Sequence, residues 1–225
     1  MTPAGGDHRG ERHLPSPLAG IGVAAAALGI ILLLGLVVDR WPFAFDRAII
    51  IGLRTWSGPR WLPHAAVDIT ALGGGTVLTI VVALVAGFLA VQRLWLTALA
   101  TITASATGGV AVDLIKSQIG RPRPTLVPHL VEVGNMSFPS GHAASSAVVY
   151  LTLAGLATQV TPDRLARRYL VGAAVFLVGA IGASRVYLGV HWPSDVLAGW
   201  SFGTLWALGW WWATAKARAT IGGER

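Results

Sequence analysis

The residues that could do chemistry fall in three short clusters. The first is Lys116-Ser-Gln-Ile-Gly-Arg-Pro-Arg-Pro124. The second is Pro139-Ser-Gly-His142. The third runs from Ser184-Arg185 through His191 to Asp195. A proline followed by a small polar residue opens a helix, and the first N–H groups of a helix have no partner within it. Such groups attract an anion, so His142 stands beside an anion-binding helix start at Ser140 and Gly141. Lys116, Arg123 and Arg185 are cations with few acidic neighbours; Asp113 and Glu132 are the local ones apart from Asp195. Arg123 is held between Pro122 and Pro124 in an extended segment, which suits a fixed bidentate contact to phosphate. For Arg121, snorkelling to lipid headgroups and a role at the site both remain open.

The two histidines differ in their surroundings. His191 and Asp195 are four residues apart, and Pro193 suits the first turn of a helix. Asp195 can reach back to one imidazole nitrogen and leave the other free, as a nucleophile or a base requires. The same pair could simply cap a helix. His142 alone could be a neighbour of a cap and nothing more. Two histidines and an aspartate also raise a metal site, but zinc wants three protein ligands and an open position, and three nearby cations oppose a divalent ion. The cationic cluster can instead bind phosphate oxygens and offset charge in a transition state, so no metal and no cofactor is expected.

These clusters must be positioned by an apolar scaffold. Of 225 residues, 54% are hydrophobic and only 12% charged, against about 25% charged in an ordinary soluble domain. There is no cysteine, which excludes disulfides and thiol chemistry. The net charge of +7 suits an anionic partner or membrane surface. The basic residues form no long run, so nucleic acid is not expected as a partner. Six stretches approach the ~20 residues that cross a bilayer: Leu18–Val38, Leu72–Val91, Leu94–Ile115, Gly141–Thr158, Arg168–Tyr187 and Ser194–Ala213. The first is too long for a signal-peptide core and lacks a cleavage site, so it reads as a retained anchor.

The expectation is therefore all-α: a bundle of six transmembrane helices forming a single domain over residues 1–225. The first ~15 residues are read as a disordered cytoplasmic tail. Between the first two spans, Phe45, Ile49, Leu53 and Trp56 recur at helical spacing, with Asp46, Arg47 and Arg54 off the stripe. This predicts a short amphipathic helix at the outer interface, or one capping the bundle. Many of the ten tryptophans lie near span ends, where their rings anchor at headgroup level. Gly182, Gly189, Gly199 and Gly203 permit close helix approach. Alternating spans put all three clusters on one membrane face. Arg9, Arg12, Arg93, Arg164, Arg167, Arg168, Lys216, Arg218 and Arg225 fall on the other, nearly balanced by the positives on the cluster side, and the concentration in the short link Thr161–Arg168 is the ground for taking that other side as cytoplasmic.

Lys116, six residues, then Arg123-Pro124; Pro139-Ser-Gly-His142; and Ser184-Arg185, five residues, His191, three residues, Asp195: together and in this order these resemble the three-part signature of the type 2 phosphatidic acid phosphatase family. The resemblance runs from about Asp46 to the end of the sixth expected span. It implies a metal-independent lipid phosphatase of the bacterial inner membrane, with its site on the periplasmic or outer side. In that reading His191 attacks phosphorus and becomes phosphohistidine, Asp195 orients it, and His142 protonates the leaving oxygen. Lys116, Arg123, Ser140, Gly141 and Arg185 would hold the phosphate. The substrate would be a lipid phosphate or diphosphate, with a polyprenyl diphosphate such as undecaprenyl diphosphate first, then phosphatidylglycerophosphate or phosphatidic acid. A lipid-linked phosphotransferase with another acceptor, and a non-catalytic phospholipid-binding membrane protein, are the alternatives.

Overall fold

The computed structural model describes residues 35, 37, 43–56, 58–134 and 136–221. The expected tail 1–15 and nearly all of the expected span Leu18–Val38 lie outside them. The described residues are all-α and contain seven helices: α1 (Ala44–Thr55), α2 (Leu62–Ala71), α3 (Gly75–Val91), α4 (Trp95–Gln118), α5 (Gly141–Val160), α6 (Arg164–Tyr187) and α7 (Pro193–Ile221). A π-helical turn, Ala147–Leu151, interrupts α5.

The six-span expectation is corrected by this arrangement. Among the described residues three helices are long and apolar enough to cross a membrane: α4, α5 and α6. A fourth span arises only if α2 and α3, bent by 50° at Leu72–Gly74, are taken as one. The expected span Leu72–Val91 is split because its helix starts at Gly75 and runs only 17 residues. The expected span Ser194–Ala213 lies within α7, which has 29 residues but is diluted in aliphatic side chains by Gly, Ser, Thr, Trp and Asp195. α7 packs against α4, α5 and α6 while keeping Leu197, Leu208 and Trp211 exposed. The small residues of its contact side let backbones approach and lower the aliphatic content of the helix.

The interfacial helix is present as α1, with Asp46 in its first turn and Arg54 in its last, both favourable to the helix dipole. Phe45, Ile49 and Trp56 of the stripe are exposed, while Leu53 packs partly against the core and Asp46 and Ile50 are buried. The helix thus also caps the bundle, with most of its stripe outward and a carboxylate pointing in.

The core follows α7. Val112 and Ile115 of α4, Ile119 and Phe138 of the connection, Ala144 and Val148 of α5, and Ala198 and Phe202 of α7 form one buried cluster. A second joins Ile50 of α1 and Ala143 of α5 to Val186, Trp192 and Val196. The α5–α7 contact is set by glycine. A methyl at Gly199 would sit 2.9 Å from the Ala144 nitrogen, and one at Gly203 would lie 2.8 Å from Ala144 O and from the Val148 nitrogen. Backbone cannot yield as a flexible side chain can. Gly203→Ala is expected to destabilise by about 1–3 kcal/mol through overpacking. Gly209→Ala, in the same helix with nothing within 4 Å of the added methyl, should be neutral or stabilising. Thermal unfolding of the two detergent-purified variants checks the difference.

Candidate active site

Four chain segments converge at one end of the bundle. Lys116 is in the last turn of α4, and its Nζ donates to Met136 O at 3.2 Å. Arg121 and Arg123 follow on the connecting segment, alternating with Pro122 and Pro124. Gly141 and His142 open α5, whose N-cap is Ser140. Arg185 ends α6, and a short turn then carries His191 to Pro193, where α7 begins. Lys116, Arg123, Gly141, His142, Arg185 and His191 line a single cavity of about 500 Å³. The structure therefore brings six of the eight expected site residues to one wall.

The other two lie beneath it. Ser140 is fully buried, and its hydroxyl accepts from the Ala143 N–H at 3.5 Å, capping α5. Its own N–H donates to Asp195 O at 3.1 Å, which ties the two helix starts together. Asp195 is fully buried behind His191. Thr70, Ser145, Asp113 and Glu132 complete part of the lining. Thr70 accepts from Arg185 Nη1 at 3.2 Å, while Arg185 Nε is buried with no hydrogen-bond partner among the described residues. The bend between α2 and α3 also serves the site: a methyl at Gly73 would sit 3.3 Å from His142 O, and one at Gly74 3.9 Å from His142 Nε2.

The hydrogen bonds assign a tautomer to His191. Arg123 Nη1 lies 3.1 Å from His191 Nε2 and 2.6 Å from Val190 O. A guanidinium only donates, so Nε2 presents its lone pair. The proton then sits on Nδ1, which faces Asp195 Oδ2 at 3.4 Å and Ser137 Oγ at 3.4 Å. Ser137 in turn donates to Asp195 Oδ2 at 2.5 Å, and the Trp192 N–H does so at 2.9 Å. Burial pushes His191 down to about 3, against the opposing pull of Asp195 and with smaller help from Arg123 and Arg185. An imidazole kept neutral, with its Nε2 lone pair directed at Arg123 and the cationic cavity, has the form a nucleophile needs.

Arg121 does not snorkel. It is 2% exposed and sits between two carboxylates, with Nη1 2.5 Å from Asp195 Oδ1 and Nη2 3.2 Å from Asp46 Oδ2. Its guanidinium also lies 5.3 Å from the centroid of the Trp192 ring. Asp46, Ser137 and Ser194 are members of this network that the sequence reading passed over. Asp46 was read as the polar side of an amphipathic helix, and no local spacing links it to residues 75 or more positions away. Ser137 carries a readable hint, since it stands two residues before Pro139 in a segment otherwise explained. Among the described residues no group of three or more His, Cys, Asp or Glu side chains is placed to hold a metal ion.

The fold and the cavity define a membrane-embedded all-α protein with a cationic pocket backed by a buried His–Asp pair. Residues 93–219 match the family model of the PAP2 superfamily. The chain is 33% identical to phosphatidylglycerophosphatase B of Bacillus subtilis over 149 residues, 64% of this chain and 71% of that protein. It is 35% identical to an undecaprenyl-diphosphatase of Sulfolobus acidocaldarius over 85 residues, 37% of this chain and 32% of that one. Its fold superposes on the crystal structure of the transmembrane PAP2-type phosphatidylglycerolphosphate phosphatase from Bacillus subtilis. The TM-score is 0.74 at 27% identity, covering 88% of this chain and 96% of that one. The chain belongs to the PAP2 superfamily, the type 2 phosphatidic acid phosphatases. It is a multi-pass membrane phosphatase of lipid phosphates or diphosphates.

The burial of neutral His191 has a consequence for stability. The unfolded chain binds a proton there near the ordinary value of about 6.5, whereas the folded site resists it down to about 3. Stability from this residue is thus fully present above about pH 6.5 and is lost as the pH falls through that interval. The unfolding temperature in detergent should fall between about pH 7 and pH 4.5. His191→Gln, which does not titrate, should flatten that slope.

Proposed function

We propose that this phosphatase works by covalent transfer through His191, without a metal. The observation that carries the reading is the neutral His191, whose Nε2 lone pair is turned toward Arg123 in a cavity that also holds Lys116, Arg185 and His142. Nε2 attacks phosphorus and forms a P–N bond. The P–O bond to the lipid alcohol or lipid phosphate breaks, and His142 supplies the proton to the departing oxygen. The imidazole becomes cationic as the bond forms, and Asp195 offsets that charge through Nδ1–H. Lys116, Arg123, Arg185 and the Gly141 N–H hold the equatorial oxygens, a task that preorganised donors perform at little cost in reorganisation. Ser140 contributes by capping α5 and so holding Gly141 in place. Water, deprotonated by His142, then attacks the phosphohistidine, the P–N bond breaks and inorganic phosphate leaves.

Arg123 Nη1 lies 3.1 Å from Nε2, so attack on phosphorus requires that guanidinium to shift onto the phosphate oxygens and release the lone pair. The cavity, about 500 Å³ and lined by residues of α4, α5 and α6, is larger than one phosphate needs. That size suits a polyprenyl diphosphate such as undecaprenyl diphosphate as first substrate. The similarity to phosphatidylglycerophosphatase B favours phosphatidylglycerophosphate as the second reading. We assign the cavity to the periplasmic or outer side of a bacterial inner membrane; the concentration of Arg164, Arg167 and Arg168 at the opposite end supports this under the positive-inside rule.

The test is phosphate release from a matched panel of lipid monophosphates and diphosphates, in detergent with EDTA present. Activity should survive the chelator, and His191→Ala should lose at least about a thousandfold in turnover. His191→Ala at wild-type turnover would refute the covalent route, and loss of activity to EDTA would refute metal independence.

A further inference from the structure

Two buried charges close to the site have no part in the chemistry above. Asp46 comes from α1, far outside the residues that match the family model. Its Oδ1 accepts the Ser194 N–H at 2.8 Å, and its Oδ2 accepts the Ser194 hydroxyl at 2.7 Å and Arg121 Nη2 at 3.2 Å. Ser194 is the residue before Asp195, in the first turn of α7. A carboxylate from another helix therefore satisfies one of the N–H groups that the start of α7 leaves open. Ser194 Oγ gives its proton to Asp46 and accepts from Arg121 Nη1 at 2.8 Å, so each atom has a defined partner. Arg121 Nη1 also reaches Asp195 Oδ1. Asp46 and Asp195 have no solvent exposure, and Arg121 has almost none.

The charges in this enclosure can be counted. Asp46 and Asp195 are negative and Arg121 is positive, which leaves one net negative charge against neutral His191. Screening is weak inside a buried cluster, so that balance is felt at the imidazole. When His191 becomes cationic the enclosure becomes neutral. Without Asp46, Arg121 would have Asp195 as its sole carboxylate and the enclosure would be neutral before the reaction begins. The carboxylate that steadies the developing imidazolium would then be spent on a guanidinium.

We propose that Asp46 and Arg121 are a positioning pair for the phosphatase: Arg121 fixes the Asp195 carboxylate, and Asp46 holds Arg121 while keeping one net negative charge on the enclosure that faces His191. This rests on the covalent role of His191. It assigns to α1 a function in the reaction as well as in packing.

The experiment measures kcat and KM of detergent-purified, monodisperse full-length variants on the best substrate of the lipid panel. Asp46→Asn removes the charge and keeps the shape. It should lower kcat about ten- to hundredfold, the usual range for a group that orients a reacting one, with KM within about twofold because the phosphate-binding cations are untouched. Asp46→Asn combined with Arg121→Gln restores one net negative charge, so its kcat should exceed that of either single variant. A merely structural role predicts the reverse, since two lesions in one buried cluster would compound. The inference is overturned if Asp46→Asn keeps kcat within about twofold of wild type, or if the double variant is no faster than the slower single. Should Asp46→Asn not fold, the comparison of the double variant with Arg121→Gln decides by the same criterion. His191→Ala serves as the control: if it stays active, the covalent reading itself has failed, whereas an inactive His191→Ala beside a fully active Asp46→Asn refutes only the positioning role.

Discussion

A carboxylate with no access to water must be repaid in hydrogen bonds, or it protonates. Asp195 is in that position, and the way it is satisfied organises this end of the molecule. Oδ1 accepts from Arg121, and Oδ2 from Ser137, the Trp192 N–H and His191. Those donors come from the segment after α4, the approach to α5 and the turn before α7. The cation-bearing segment is braced in turn: Trp192 Nε1 donates to Pro122 O at 3.0 Å, and the Ser137 N–H donates to Arg121 O at 2.9 Å. Losing any one donor would loosen several pieces of chain at once. The cavity is thus a by-product of solving a desolvation problem, and its walls are as rigid as that solution.

The same constraint explains why the neutral histidine and the crowded cations can coexist. Lys116, Arg123 and Arg185 stand on the cavity side of His191, and Asp195 stands behind it. The imidazole is therefore polarised along one axis, with its proton toward the carboxylate and its lone pair toward the cations. In the proposed reaction, a phosphate entering the cavity offsets the cations and leaves the buried carboxylate to meet the positive charge that would appear on the ring. The segment after α4 serves both sides, with Arg123 toward the cavity and Arg121 behind the ring between Asp195 and Asp46.

What could be read in the sequence was the chemistry that sits in short segments. The three clusters, the helix start at Gly141 and the His191–Asp195 spacing were visible because each is local, and the structure gathers six of the eight residues onto one cavity. The placing of Ser140 under the site was not visible, because a capping serine and a phosphate-binding serine have the same neighbours in sequence. Asp46 was hidden for a different reason. The apolar stripe of α1 gives its period correctly, but a stripe states only which residues share a face. It does not say whether that face meets protein or lipid. In water the apolar face turns inward; here Phe45 and Ile49 turn outward and the carboxylate turns in. Ile50 and Leu53 still pack inward beside the carboxylate, so α1 buries a charge that meets Arg121 together with part of its apolar surface.

The span count failed on the same point. Aliphatic content reports how much of a helix must satisfy lipid. It rises in α4, α5 and α6 and falls in α7, which also keeps Leu197, Leu208 and Trp211 outward but whose Gly199 and Gly203 lie against the α5 backbone and whose Trp200 and Trp206 donate to Val178 O and Ala104 O. Small residues there bring backbones close, and ring N–H groups find carbonyls inside the bundle. A helix can therefore be central to a membrane protein and look half-polar by composition. That is also why α7 can begin with Asp195 in its first turn: the side of α7 facing the other helices tolerates a charge, provided the chain supplies Arg121 and Ser137 to meet it. The low hydropathy of the last helix and the buried carboxylate that opens it are consequences of one position in the fold.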